Sequence, residues 1–254
     1  MQASEQDRID DVTPAGIEMA GISKRYGQVQ ALVDVNMSVK PGEVMGIAGD
    51  NGAGKSTLMK VLAGAIASDE GTISIDGEHH AFSSPNDAHL AGIEMLYQDL
   101  ALFEDMSVMA NIFVGRELTN AAGFMKFSAI KERASEIVST FSVRQIDVAN
   151  PLGSLSGGQR QVSALARTIG FGSNYVILDE PTSALSPSAA DEVLDVVRNL
   201  AAKGIGVIMI SHNLNHIMAV CDQVAVLHLG TVAGVRKISE TTQEEIVSLI
   251  VKGA

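Results

Sequence analysis

Nine consecutive residues, Gly49-Asp50-Asn51-Gly52-Ala53-Gly54-Lys55-Ser56-Thr57, carry the strongest chemical pattern in the sequence. They fit G-x-x-x-x-G-K-[ST], a loop that cradles phosphate. Three glycines keep side chains away, so backbone N–H groups can close around phosphate oxygens. Lys55 is a point charge for the β- and γ-phosphates. The Ser56 hydroxyl can ligate Mg²⁺, and Thr57 can add a hydrogen bond to a phosphate. Val44-Met45-Gly46-Ile47-Ala48 reads as a short buried strand before the loop. After it, Leu58, Val61, Leu62 and Ala65 fall on one face of a helix. Bound phosphate would rest on that helix N-terminus.

Five other positions have chemistry to offer. Asp179 follows the apolar run Tyr175-Val176-Ile177-Leu178, where a Mg²⁺-side carboxylate belongs. Mg²⁺ keeps several waters and needs one or two protein oxygens besides phosphate, which Ser56 and Asp179 can supply. Glu180 can polarise a water for attack on the γ-phosphate; the alternative for Asp179-Glu180 is a solvated strand end. Gln98, after the strand Ile93-Glu94-Met95-Leu96-Tyr97, either orients that water, touches Mg²⁺, or is a surface residue. His212, after a buried strand from Ile205 to Ile210, either bonds the γ-phosphate and aligns Glu180 with the water, or is structural. Tyr26 either stacks on adenine or packs on the surface. His79-His80 cannot easily both face one metal and read as a solvated turn. Cys221 is the single cysteine, so no intrachain disulfide forms, and it reads as a small core residue.

These residues need a scaffold. Ile17 to Ser23 and Ala31 to Val39 alternate as half-buried strands do, with a turn at Lys24-Arg25-Tyr26-Gly27 between them. Gly71 to Gly77 reads as a further strand, and Ser84-Pro85 opens a short helix. Residues 99–154 read as helices and loops with no clear strand; Ile130, Ala134, Ile137, Val138 and Phe141 form one helical stripe. Helices follow with Val162, Leu165, Ala166 and Ile169 inward, then Val193, Val196, Val197 and Leu200. Thr241-x-x-Glu244 and Thr242-x-x-Glu245 both offer a capping box for a last helix. Alternating strands and helices imply a mostly parallel sheet covered on both faces. Ligands bind such sheets beyond the C-terminal strand ends, where Gly49, Gln98, Asp179 and His212 all lie.

Composition sets the bounds. The chain has 254 residues, 46% hydrophobic, enough for one sizeable domain with a subdomain. Residues 1–15 are polar and acidic and read as a disordered tail, not a signal peptide. No apolar run approaches a membrane span of roughly 18–20 residues, so the expectation is a cytoplasmic chain that can still dock on a membrane protein. A net charge of −12, no tryptophan and 4% aromatics argue against a nucleic-acid partner.

Leu155-Ser156-Gly157-Gly158-Gln159, together with the residues above, resembles the signature of the ATP-binding cassette (ABC) ATPases, over about residues 16 to 252. The resemblance implies an α/β P-loop NTPase fold: a RecA-like, mostly parallel core with an N-terminal antiparallel β subdomain (about 16–98 and 160–254) and an inserted helical subdomain (about 99–159). It implies ATP and Mg²⁺, with Tyr26 on adenine, Asp179 on the metal and Glu180 as base. His212 becomes the switch histidine, and Gln98 joins the core to the helical subdomain. Ser156, Gly157, Gly158 and Gln159 would face the γ-phosphate held by a second copy, so that two nucleotides join two cassettes head to tail.

Finer strings, Gly49-Asp50-Asn51-Gly52, Tyr97 to Leu102, Asn111 to Glu117 and Ser211-His212-Asn213, look like the bacterial monosaccharide-importer branch of ribose, xylose and fructose type. That branch implies a transmembrane permease as partner, a periplasmic sugar-binding protein beyond it, and a place on the cytoplasmic side of the inner membrane. The alternative is a soluble cassette without a permease, such as an assembly or repair factor. One departure stands out: the family usually shows Ser-Ala-Leu-Asp after the Asp-Glu pair, and here it is Ser183-Ala184-Leu185-Ser186. Serine still caps a helix, but a carboxylate facing the other subunit is lost.

Overall fold

The computed structural model of the chain describes residues 16–141, 146–183 and 185–253. The tail expected at 1–15 and Ala184 lie outside the described residues, as does the side chain of Phe141.

An antiparallel hairpin opens the chain, β1 (Ile17–Tyr26) and β2 (Val29–Val39). Its alternation buries Ile17, Met19, Ile22, Leu32, Val35 and Val39. β3 (Val44–Gly49) is buried at every position, as a strand covered on both faces must be. Then come α1 (Lys55–Leu62), β4 (Glu70–Ile75), β5 (Glu78–His80), α2 (Pro85–Leu90) and β6 (Ile93–Leu96). Three helices follow, α3 (Val108–Phe113), α4 (Phe127–Phe141) and α5 (Gly157–Ile169). The rest alternates: β7 (Tyr175–Asp179), α6 (Pro187–Ala202), β8 (Gly206–Ile210), α7 (Leu214–Val220), β9 (Gln223–His228), β10 (Thr231–Lys237) and α8 (Gln243–Lys252).

The strands make two sheets. One is antiparallel, in the order β2-β1-β4-β5. The other runs β10-β9-β3-β8-β7-β6, parallel except for β10 at its edge. Each parallel strand feeds two cores. Val176 and Leu178 of β7 pack with α3, α4, α5 and α6 residues such as Ile112, Ile137, Leu165 and Val197. Tyr175 and Ile177 face the antiparallel sheet and α1, with Ile17, Val35 and Leu58. The fold is thus the mixed α/β architecture expected from the sequence, with the helical block carried between β6 and β7.

Several boundaries differ from expectation. β1 continues through Lys24, Arg25 and Tyr26, so the turn falls at Gly27-Gln28. α1 ends at Leu62, and Ala65 is exposed. Gly64 stops the helix: its φ is +68°, and a Cβ there would lie 2.4 Å from the Ser84 carbonyl oxygen. His79 and His80 belong to β5, not to a turn; strand alternation sends the two rings to opposite faces. At the last helix, Thr242 is the cap, accepting the Glu245 N–H at 3.3 Å, while the Glu245 carboxylate is taken by Arg236 and Thr241.

Candidate active site

Four parallel strands end at one rim, because their registers coincide. Ile47 of β3 and Asp179 of β7 both stand opposite Ile210 of β8, and Leu96 of β6 stands opposite Leu178. Residues just past those ends must therefore meet. They do: residues 51–57, Gln98, Asp179, Glu180 and His212 line one cleft of about 340 Å³.

The loop is shaped by its glycines. Gly54 is the N-cap of α1 at φ 103°, ψ −1°, with no side-chain cap bond. A Cβ on it would lie 2.7 Å from the Ala31 carbonyl oxygen and 2.9 Å from Leu32 Cδ2. The first N–H groups of α1 are left for a ligand, the condition for anion binding at a helix start. Asp50 Oδ1 accepts the Asn51 N–H at 2.7 Å and steadies the loop entrance. Lys55 folds under the loop; its Nζ donates to the carbonyls of Gly49 (2.8 Å) and Asp50 (3.0 Å). Burial pulls its pKa below the usual lysine value, opposed by Glu180, Asp50 and Asp179.

Across the cleft lie the carboxylates. Burial raises the pKa of Asp179, opposed by Lys60, Lys55 and His212. Burial also raises that of Glu180, opposed chiefly by His212. The Glu180 backbone is left-handed at φ 53°, and its N–H donates to the Ile210 carbonyl at 3.2 Å. Glu180 Oε1 stands 3.2 Å from His212 Nε2, yet it is enclosed with no aligned hydrogen bond. An enclosed carboxylate of raised pKa beside an imidazole is placed to take a proton.

For a metal, the cleft offers three oxygen donors, the Ser56 hydroxyl, the Asp179 carboxylate and the Gln98 amide, beside the Glu180 carboxylate and the His212 ring. No cluster of three His, Cys, Asp or Glu suited to a metal occurs among the described residues. That donor set fits Mg²⁺, which completes its shell with water and phosphate, and not a cation needing an all-protein cage.

Two expected groups lie elsewhere. Tyr26 is 48% exposed at the tip of the β1–β2 hairpin and is not part of the cleft lining. The hairpin itself reaches the loop through Ala31 and Leu32. Ser156 caps α5 in a capping box: its hydroxyl accepts the Gln159 N–H at 3.2 Å, and Gln159 Oε1 accepts the Ser156 N–H at 3.1 Å. Gly157 packs near Leu185, and Gly158 near Ala189 of α6. None of these four lines the cleft of its own chain. Ser186 caps α6 through the Ala189 N–H at 3.4 Å, with Pro187 in the first turn.

Two contacts had no sequence signal. Arg167 of α5 donates to the carbonyls of Leu100 (2.6 Å) and Ala101 (2.9 Å), holding the chain just past Gln98. Thr182, two residues past Glu180, bonds to His216 of α7.

Comparisons with known proteins identify the family. The family profile described as "ABC transporter" matches residues 32–183. The xylose/arabinose import ATP-binding protein XylG of Sulfolobus acidocaldarius is 41% identical over 234 residues, 92% of this chain and 93% of that protein. The xylose import ATP-binding protein XylG of Burkholderia cenocepacia is 38% identical, and the ribose import ATP-binding protein RbsA of a Chelativorans species 37%, each over 92% of this chain. The chain spans only 46% of the length of each of these two. An ATP-binding cassette of an ABC transporter, solved in its ADP conformation, superposes with a TM-score of 0.78 at 25% identity, covering 93% of this chain and 95% of that one. With the family profile lying across the phosphate loop and the Asp179-Glu180 pair, and with close relatives running its length, the chain belongs to the ABC transporter family.

Proposed function

We propose that the chain is the ATP-hydrolysing subunit that energises import of a monosaccharide through a membrane permease. The observation that carries the reading is the pairing of the enclosed Glu180 carboxylate with His212 in the cleft that holds Lys55. The relatives support the sugar and the direction, being import ATP-binding proteins for xylose, arabinose and ribose. The permease-free alternative finds no support among them.

The residues divide the work as follows. Gly49, Asp50, Asn51, Gly52, Ala53 and Gly54 present backbone to the phosphates. Lys55 and Thr57 bind their oxygens, and Tyr26 stacks on adenine. Ser56, Asp179 and Gln98 hold Mg²⁺, which when bound neutralises charge on the phosphate oxygens. Glu180 accepts a proton from the attacking water. Its raised pKa, a consequence of burial, makes it a stronger base than an open carboxylate. His212 fixes that carboxylate from one side and the γ-phosphate from the other.

The exposed Ser156 and the neighbouring Gly157, Gly158 and Gln159 serve the nucleotide of a second copy, which explains their distance from the chain's own cleft. A homodimer follows, seated peripherally on permease subunits at the cytoplasmic side of the inner membrane, with a periplasmic sugar-binding protein beyond. No helix among the described residues is long and apolar enough to cross a membrane. In this reading residues 16–98 and 160–254 form the core and 99–159 the subdomain that meets the permease.

Glu180→Gln tests the assignment. It should bind Mg-ATP, release no phosphate in a malachite-green assay and sediment as a trapped dimer. A monomer with undiminished phosphate release would refute Glu180 as the base. Pull-down from membranes should bring a polytopic membrane protein; its absence would refute the permease.

A further inference from the structure

The loop carrying Glu180 and the loop carrying His212 are fastened together behind the cleft. Thr182 Oγ1 lies 2.9 Å from His216 Nδ1, across 34 residues of sequence. The other ring nitrogen, Nε2, lies 3.1 Å from Asn213 Nδ2. The Asn213 amide is oriented by its far end, where Oδ1 accepts the Asn215 N–H at 3.0 Å as the cap of α7. Its NH₂ therefore faces the ring, and His216 Nε2 must accept. Nδ1 then carries the proton and donates it to Thr182 Oγ1. Both ring nitrogens are used, in one tautomer.

What the bridge joins is specific. Thr182 is buried and sits in a tight turn closed by the Ser183 N–H on the Glu180 carbonyl at 3.1 Å. Asn213 directly follows His212. Glu180 occupies a left-handed backbone that is strained for a residue with a Cβ, so its neighbours must hold it. Neither His216 nor Thr182 lines the phosphate cleft.

We propose that His216 is a positioning residue: by tying Thr182 to Asn213 it sets the approach of Glu180 to His212, and so governs the rate of hydrolysis and not nucleotide affinity. This rests on the reading of Glu180 and His212 as the working pair.

Steady-state Mg-ATP hydrolysis by the full purified chain tests it. His216→Leu should lower kcat about tenfold, ~1.4 kcal/mol of barrier, with KM and fluorescent-nucleotide affinity unchanged. His216→Asn places an amide donor near the Nδ1 position and should restore most of kcat. His216→Gln reaches only the Nε2 position and should not. Thr182→Val should reproduce His216→Leu, and the double variant should be no slower than either; it also carries the test if His216→Leu does not fold. Wild-type kcat in His216→Leu or Thr182→Val overturns the proposal. So does equal rescue by Asn and Gln, or a loss of kcat matched by loss of affinity and of Tm. Full turnover in Glu180→Gln would instead sink the catalytic pair itself, whatever His216 does.

Discussion

Alanine at Gly54 should destabilise the chain far more than alanine at Gly52, although both glycines have positive φ. Gly52 has φ 79° with no atom within 4 Å of an added Cβ, so its substitution meets only backbone strain. A left-handed conformation costs an L residue roughly 1–2 kcal/mol. Gly54 adds a collision. Its Cβ would press on the Ala31 carbonyl at 2.7 Å and on Leu32 Cδ2 at 2.9 Å. Neither can yield, since Ala31 is β2 backbone and Leu32 is fully buried. Forced overpacking adds about 1–3 kcal/mol, so Gly54→Ala comes to ~2–5 kcal/mol against ~1–2 for Gly52→Ala. With a urea m-value of about 3 kcal/mol/M, the two midpoints should differ by roughly 0.3–1 M. Urea unfolding of both variants in one buffer, followed by circular dichroism, measures the gap. Coincident midpoints would refute the claim that close approach, and not φ alone, makes position 54 a glycine.

Lys55→Ala removes a cation that makes charge-assisted bonds of about 1.5–3 kcal/mol, so ATP affinity should drop by roughly ten- to a hundredfold in a fluorescent-nucleotide titration. Retained affinity would remove Lys55 from the phosphate site. Burial pushes the Cys221 thiol up to about 12, whereas unfolding exposes a thiol that ionises near its ordinary value of 9.0. The raised value favours the protonated, folded form: this stabilisation is complete below about 9 and is lost as pH rises towards about 12. A thiol reagent at pH 8 should therefore label Cys221 only as fast as the chain opens, with urea accelerating it; rapid labelling of the folded chain would contradict the burial.

What could be read from the sequence was whatever is contiguous or periodic. The phosphate loop is a local backbone pattern, and its flanking strand and helix followed from hydrophobic spacing. The rim on which Gln98, Asp179, Glu180 and His212 meet followed from strand alternation, because parallel strands must end together. β10 was missed because Thr231 to Lys237 is a half-exposed edge strand with Gly234 at a register shift, so no clean alternation survives. Arg167 is one more polar position on an amphipathic helix. Its partners are main-chain carbonyls 66 and 67 residues earlier, and carbonyls leave no mark on residue type. The same holds for Glu180's left-handed backbone, which only the fold around it selects.

The tethering of Lys55 to the Gly49 and Asp50 carbonyls has a consequence for how the loop receives its ligand. The long side chain has surrendered its rotamer freedom, up to ~1.5–2 kcal/mol for lysine, during folding. On the reading of Lys55 as a phosphate ligand, phosphate oxygens would therefore meet an ammonium already held by two carbonyls and buried from bulk water. Capture becomes a swap at a rigid receptor, and the arriving nucleotide has no tail of lysine to arrest.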